Sequence, residues 1–401
     1  MTGVTKAALV LAAAAVAAVA VVAGGTAAPQ QGNTIVIGWA YDGVGNMAPF
    51  DGPALATATD RVKQLNKAGD TKLKIITCNT QSNKPAIAKS CAAKLLGQGA
   101  DIIFTTCDID LAAPVVQESI NRGKLTIAPC IGTDQMGPKR FGAKGRLAFS
   151  FGNVAQDEGS AMAEYAWRKG WRNASLATDT VIVYFRNVVQ AFEARWKQLG
   201  GKVVTKETYQ SAGGSPASWQ AVVTRLNAKR ADVIVTATAA AYGAQVPILN
   251  GLRTLGNNTP MLNSWAGDGN YWYPADPKVT NYFYVTFASA FGDDPVPAVN
   301  ALVKRNAAAI AKAGSTGGFI TGPAAIDGVL LAIRRAGGST NGLALAAQME
   351  KFKNVPTLSG LVSFSKQLHT VYGRQYRVIR VQNNVPKVIG VVKAKVVPKI
   401  S

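Results

Sequence analysis

The 401-residue sequence predicts an α/β protein built from two doubly wound units. Three observations predict it. Short apolar runs that do not alternate suit parallel strands buried on both faces. Stretches with apolar residues at helical spacing separate those runs, which is the alternation of a doubly wound sheet. The whole pattern then begins again near residue 150. The length fits two domains of ordinary size. A composition of 48% hydrophobic against 16% charged residues excludes a largely disordered chain.

The elements follow in order. Thr34–Gly38 (TIVIG) reads as the first strand, followed by a turn-rich loop over 39–52. A helix opened by Pro53 places Leu55, Ala58, Val62 and Leu65 on one face. Strand Leu73–Thr77, helix Pro85–Gly97, strand Asp101–Thr106, helix Leu111–Asn121 and strand Leu125–Pro129 complete the first unit. The second runs through helix 155–170, strand Ala174–Asp179, helix 182–199, strand Lys202–Thr205, helix 216–228, strand Asp232–Thr236 and helix 243–255. Helices over 297–313, 320–336 and 341–352 come next. The stretch 359–395 changes character to strands joined by turns.

The first segment sets the expected compartment. Lys6 precedes an unbroken apolar run from Ala7 to Ala23, and Thr26 and Ala28 suit the specificity positions of a signal peptidase. The expectation is a cleaved export signal over 1–28 and a periplasmic or secreted mature chain. A retained anchor is the alternative, since the run is close to the shortest that spans a bilayer. No later segment reads as a membrane span. The balance of 43 Lys+Arg against 22 Asp+Glu, a formal +21, favours anionic partners in general. The basic residues are scattered, apart from loose groups such as Lys139/Arg140 and Lys387/Lys393/Lys395/Lys399. No basic helix with interleaved aromatics appears, so a nucleic-acid partner is not expected.

Several segments carry a resemblance in order and spacing. They are IGWAYDGVGNMAPFDGPALATATDRVKQLN, IITCNTQSNKPAIAKSCAAKLLGQGADIIFTTC, LTIAPCIGTD, YFRNVVQAFEARWKQLGGKVV and ADVIVTATAAAYGAQVPILNGLRTLG. Together they resemble the type I periplasmic binding proteins, in particular the branch that binds leucine, isoleucine and valine for ABC importers. The resemblance implies two Rossmann-like lobes joined by a three-strand hinge. It places 29–150 plus 288–361 in lobe one and 151–287 plus 362–401 in lobe two, with crossings near Gly152, Phe287 and Val362. It also implies a monomer that closes on a small molecule and delivers it to ABC permease subunits, with no cofactor and no catalytic residue.

In open α/β sheets a ligand sits beyond the carboxyl ends of the strands, among loops and helix N-termini. Candidate contacts are therefore Tyr41 and Met47 after the first strand, with Trp39, Asp42 and Asn46 nearby. Asp108 and Ile109 follow the third strand, and Cys130, Gly132 and Thr133 the fourth. The resemblance places the family's ligand-holding serine at Asp108 and its threonine at Gly132 or Thr133. An aspartate repels a carboxylate and pairs with an ammonium, so the substitution points away from a plain leucine-type ligand. The alternative role for Asp108 or Asp110 is to cap the helix that follows. On the second unit the candidates are Tyr184, Tyr242, Trp265 and Phe319, aromatic walls of the kind a small amphiphilic ligand needs. Tyr271-Trp272-Tyr273-Pro274 reads as surface packing.

Four cysteines in an exported chain suggest two bridges. The favoured pairing is Cys78–Cys91 with Cys107–Cys130; the other is Cys78–Cys107 with Cys91–Cys130. A single histidine, His369, excludes a multi-histidine metal site and reads as an exposed turn residue. No P-loop, dinucleotide fingerprint or nucleophile elbow is present, so no enzyme is expected. The expected function is capture of an amino-acid-like or related polar or amphiphilic metabolite for an ABC importer. A membrane-tethered ligand sensor of the same fold and an exported enzyme are the competing readings.

Overall fold

The computed structural model describes residues 34–399 apart from residue 70; the expected export segment 1–28 lies outside the described residues. β1 (Ile35–Tyr41) leads through α1 (Ala48–Ala68), β2 (Leu73–Asn79), α2 (Pro85–Gly97), β3 (Ile102–Phe104), α3 (Ile109–Asn121), β4 (Thr126–Ala128) and the one-turn α4 (Pro138–Phe141) to β5 (Ala148–Asn153). These strands are all parallel and lie in the order β2-β1-β3-β4-β5. The arrangement repeats in α5 (Ala155–Arg168), β6 (Asn173–Asp179), α6 (Val183–Gln198), β7 (Lys202–Tyr209), α7 (Pro216–Asn227), β8 (Val233–Ala237), α8 (Gln245–Thr254), β9 (Met261–Asn263) and β10 (Tyr282–Thr286). The second sheet has the same parallel order, β7-β6-β8-β9-β10. Two doubly wound lobes result.

The remainder consists of α9 (Pro297–Arg305), α10 (Ala307–Lys312), α11 (Thr321–Arg335), α12 (Gly342–Met349) and β11 (Val355–Thr357) to β15. The last strands are β12 (Gly360–Val362), β13 (Thr370–Val371), β14 (Gln375–Gln382) and β15 (Val385–Lys393). β13 joins the edge of the first sheet parallel to β5; β14 extends the second sheet antiparallel to β10, and β15 pairs antiparallel to β14 at its edge. The last passage between the sheets therefore falls between Val371 and Gln375, later than the expected position near Val362. A two-residue strand carries too little pattern to be read in advance.

Each lobe buries its sheet between helices. Phe104, Ile127, Phe149 and Phe151 of the first sheet are fully buried, as are Val233, Val235, Tyr284 and Val285 of the second. Side chains of this size contribute about 1.5–3 kcal/mol each on full burial. α5 and α6 pack unusually close because Gly159 has no side chain; a Cβ there would run into the Val188 carbonyl oxygen.

Several boundaries differ from expectation, each for a local reason. α1 begins at Ala48, and Pro53 lies inside it. Pro53 has no N–H for the Pro49 carbonyl, and the Thr316 hydroxyl takes that acceptor at 2.7 Å. The helix expected over 297–313 is broken at Asn306. α3 begins at Ile109, with Asp108 as its cap, its Oδ1 accepting from the N–H of Asp110 (2.9 Å) and Leu111 (3.2 Å). The stretch Gly317–Arg335 has the length and hydropathy of a membrane span, against expectation, but 83% of it is buried as a core helix. His369 is buried, not exposed: it stacks on Phe149 at 4.0 Å between ring centres, and its Nδ1 lies 3.0 Å from the Ala148 carbonyl oxygen. β13 draws that segment onto the sheet. Trp272 is likewise core, packed edge-on against Tyr273 and Tyr282, so its cluster is not surface packing.

Candidate ligand-binding site

In both sheets the strand order reverses beside the first strand of the unit, between β1 and β3 and between β6 and β8. Loops diverge there, and a crevice opens at the carboxyl ends of the strands. The two crevices face one another, and a small, partly open cavity lies between them. The first lobe lines it with Met47 and Phe50 after β1, Cys107 and Asp108 after β3, and Gly132 after β4. The second contributes Ile182, Tyr184 and Phe185 after β6, Ala239 and Tyr242 after β8, and Trp265 and Ala266 after β9.

Buried carboxylates hold these loops. Asp51, on α1, accepts from the N–H of Asp42 (2.8 Å) and of Cys107 (3.0 Å), tying the loop after β1 to the loop after β3. Burial pushes its carboxyl up to about 8. Asp42 gathers the N–H groups of Val44, Gly45, Met47 and Ser82 and so shapes the turn that presents Met47. On the second lobe Glu158 accepts from the Tyr184 hydroxyl at 2.8 Å and from the Trp265 N–H at 2.7 Å. One carboxyl, raised to about 8 mainly by burial, thereby fixes two aromatic walls.

The cavity is apolar except at one end. Among the described residues that line the cavity, Asp108 is the only acidic one and none is basic. Burial is the main cause that pushes its carboxyl up to about 7, and the neighbouring Asp110 adds to the rise. Both of its hydrogen bonds fall on Oδ1. The indole N–H of Trp265 has no hydrogen-bond partner among the described residues. An ammonium would complement Asp108, and an apolar or aromatic body would suit Phe50, Tyr184, Phe185, Tyr242 and Trp265.

The lobes touch across the cavity. The Val183 N–H at the start of α6 donates to Asp110 Oδ2 at 2.9 Å, and Phe50 meets Trp265 edge to face at 5.0 Å. The Tyr242 hydroxyl lies 3.8 Å from Met47 Sδ. Asp110 also binds Arg140 at 2.8 Å, so it bridges the lobes instead of capping α3.

Of the residues singled out in the sequence, Met47, Asp108, Gly132, Tyr184, Tyr242 and Trp265 come together on the cavity wall. Five do not. Tyr41 packs against the first-lobe core, and Ile109 is wholly buried in it beneath the α3 cap. Cys130 is buried in the bridge to Cys107; Thr133 is buried with its carbonyl accepting from Thr370; Phe319 is core, its carbonyl accepting from Thr57. Phe50, Ile182, Phe185, Ala239 and Ala266 line the cavity without having been foreseen. Phe50 and Phe185 sit within the first turn of helices that follow β1 and β6, one helical step from residues that were named.

The disulfides are Cys78–Cys91 and Cys107–Cys130, the favoured pairing. The first ties β2 to α2, away from the cavity. The second joins the ends of β3 and β4 directly beneath it, with Cys107 on the wall. Each should stabilise by about 3 kcal/mol through restriction of the unfolded chain. Paired Cys→Ala variants should lose similar stability in denaturant titrations, while only the Cys107/Cys130 pair also weakens ligand binding. Equal effects on binding from both pairs would contradict a local role for the second bridge.

Two lobes with a shared apolar cavity between mirrored switch points define a small-molecule binding protein. The chain belongs to the periplasmic binding protein family, whose sequence profile matches residues 34–386. Its structure is similar to that of the branched-chain amino acid substrate-binding protein LivJ of Streptococcus pneumoniae in complex with isoleucine. That likeness has a TM-score of 0.75 at 19% identity, over 90% of this chain and 100% of the other. The leucine-binding protein LivK of Thermotoga maritima gives 0.75 at 16% identity, over 90% and 99%. A solute-binding protein of a Rhodopseudomonas palustris ABC transporter in complex with 3,4-dihydroxybenzoic acid gives 0.70 at 15%, over 90% and 95%. No curated protein sequence matches the chain.

Proposed function

We propose that this chain is the extracytoplasmic substrate-binding protein of an ABC importer, that it takes a small amine-bearing molecule with an apolar or aromatic body, and that it acts by binding without catalysis. Lobe closure would bury the ligand and present both lobes to the permease. The observation that carries the substrate class is Asp108 as the one charged group on an aromatic-walled cavity. Relatives of this fold are seen with isoleucine and with an aromatic acid. The acid end of this cavity favours a cation over a plain carboxylate. For an amino-acid ligand, the unmatched indole N–H of Trp265 supplies a donor to the carboxylate.

A thermal-shift screen against amino acids, aromatic acids, amides and aliphatic or aromatic amines tests the reading. A ligand at about 100 times its dissociation constant should add about 2.7 kcal/mol to stability. Amine-bearing compounds should give the shifts; shifts from benzoate-type acids alone would overturn the substrate class, and no shift from any class would overturn the small-molecule reading. The pH dependence gives a second arm. Asp108 without ligand holds its proton up to about 7, and an ammonium pairs only with the ionised form. Binding therefore releases a proton below that value, and affinity should rise with pH up to about 7 and then level off. Titration calorimetry in buffers of different ionisation enthalpy reads both quantities. An affinity that falls as pH rises through the same range would mean that the bound group is an anion.

A further inference from the structure

We infer that the outer face of β15 and the segment after it form a membrane-surface contact, a strip that rests on anionic lipid headgroups. The strip lies on the second lobe, away from the cavity.

β15 is the edge strand of the second sheet, hydrogen-bonded on one side only to β14. Val388 and Val392 pack into the core. Val385, Lys387, Ile389, Val391 and Lys393 are exposed. The chain continues with Lys395, Val396, Val397 and Lys399, all exposed, and the Ser160 hydroxyl holds this run against α5 through the Val396 carbonyl.

Five of the eleven large hydrophobic residues exposed among the described residues fall in this one strip: Val385, Ile389, Val391, Val396 and Val397. Residues 385–399 hold four lysines and no acid. Arg168 lies alongside, its guanidinium 3.5 Å from the Val391 carbonyl oxygen, and the exposed Arg380 pairs in register with Lys387. Of the acids beside the strip, Asp293 is committed to the Val388 N–H and the Ser289 hydroxyl, and Asp157, which faces Lys393, is buried and accepts from the Gly373 N–H.

Lysines alone would be explained as protection of an open sheet edge against pairing. The same device would not place exposed Val and Ile between them, because exposed apolar residues on an edge promote the pairing that lysine prevents. A polyanion such as a wall polymer would complement the lysines and leave the valines without a role. Alternating basic and apolar side chains match an anionic bilayer surface, where lysine meets the headgroup and the short apolar side chain enters the boundary layer. Each lysine near such a surface is worth about a fivefold change in partitioning, so the loss of four should lower it on the order of several hundredfold.

Hydrogen–deuterium exchange of the full chain tests the inference, with vesicles of phosphatidylglycerol mixed with phosphatidylcholine and vesicles of phosphatidylcholine alone. The readout is local, so an apolar N-terminal segment that also meets the vesicles affects all samples alike. Amides of 385–397 should slow with the anionic vesicles and not with the zwitterionic ones. Substitution of Lys387, Lys393, Lys395 and Lys399 by Gln should abolish the protection. Val385→Ser, Ile389→Ser, Val391→Ser, Val396→Ser and Val397→Ser in one chain should abolish it as well. Melting temperatures confirm that both variants fold. No protection, equal protection by the two vesicle types, or protection that survives the serine variant would each overturn the inference; the last would mean that the face reads a polyanion instead of a bilayer.

Discussion

Asp108→Asn should weaken binding of an amine-bearing ligand by about 2–4 kcal/mol, roughly 30- to 1,000-fold. The physical basis is the loss of a buried ionic partner, with little else changed. Asparagine caps helices as well as aspartate does, so the bonds that Asp108 accepts from the N–H groups of Asp110 and Leu111 survive the substitution. Stability without ligand should therefore remain close to that of the parent chain. The pH dependence of affinity around 7 should vanish with the carboxyl that causes it. Asp108→Ala, by contrast, loses both charge and cap and should cost about 1 kcal/mol of stability in addition. Calorimetric dissociation constants for the two variants separate the roles. Parental affinity in Asp108→Asn would remove Asp108 from the proposed site, whatever happens to the melting temperature.

Gly132→Val should keep the lobes apart. Gly132 is on the first lobe and its backbone meets the Tyr184 ring of the second; a Cβ there would lie 2.7 Å from Tyr184 Cε2 and 3.3 Å from the Asn153 carbonyl oxygen. A flexible side chain would move away at little cost. The Tyr184 ring is not free to do so, because it is buried and its hydroxyl is held by Glu158. Overpacking at a rigid contact costs about 1–3 kcal/mol. Here the cost falls on closure, because the clash disappears when the lobes separate. Affinity should drop about tenfold to a hundredfold, and small-angle scattering at ligand saturation should show a larger radius of gyration than the parent chain. Ligand-induced compaction equal to the parent's would show that the contact does not govern closure.

Much of this protein was legible from local pattern. LTIAP is buried throughout in a parallel sheet and TIVIG over its last residues, and a continuous apolar run between turns is the direct imprint of that environment. Strand order favoured the observed cysteine pairing over the alternative, since β3 and β4 are neighbours and their ends reach bridging distance. Other strands were not legible. β5 and β10, of six and five residues, were not read, and β9, β11 and β13 hold two or three residues each and lack the apolar run that marked β3 and β4. Their existence depends on a neighbouring edge that accepts them.

The site divides along the same line. Its general place, beyond the carboxyl ends of the strands, follows from topology, and six residues named there meet on the cavity wall. Tyr41, Ile109 and Thr133 are close to those six in sequence and do not reach the wall. In a loop after a strand, adjacent side chains point in different directions, and only the completed loop fixes which one faces the cleft. The sequence by itself determined that there are two alike α/β units and which faces of their elements are buried, and it favoured the observed cysteine pairing without excluding the other. The tertiary structure decided that Phe50 faces Trp265, that Asp110 reaches the start of α6 while Asp108 caps its own helix, and that His369 is buried. Those contacts join residues far apart in the chain, and their geometry comes from the meeting of the lobes, which no local periodicity encodes.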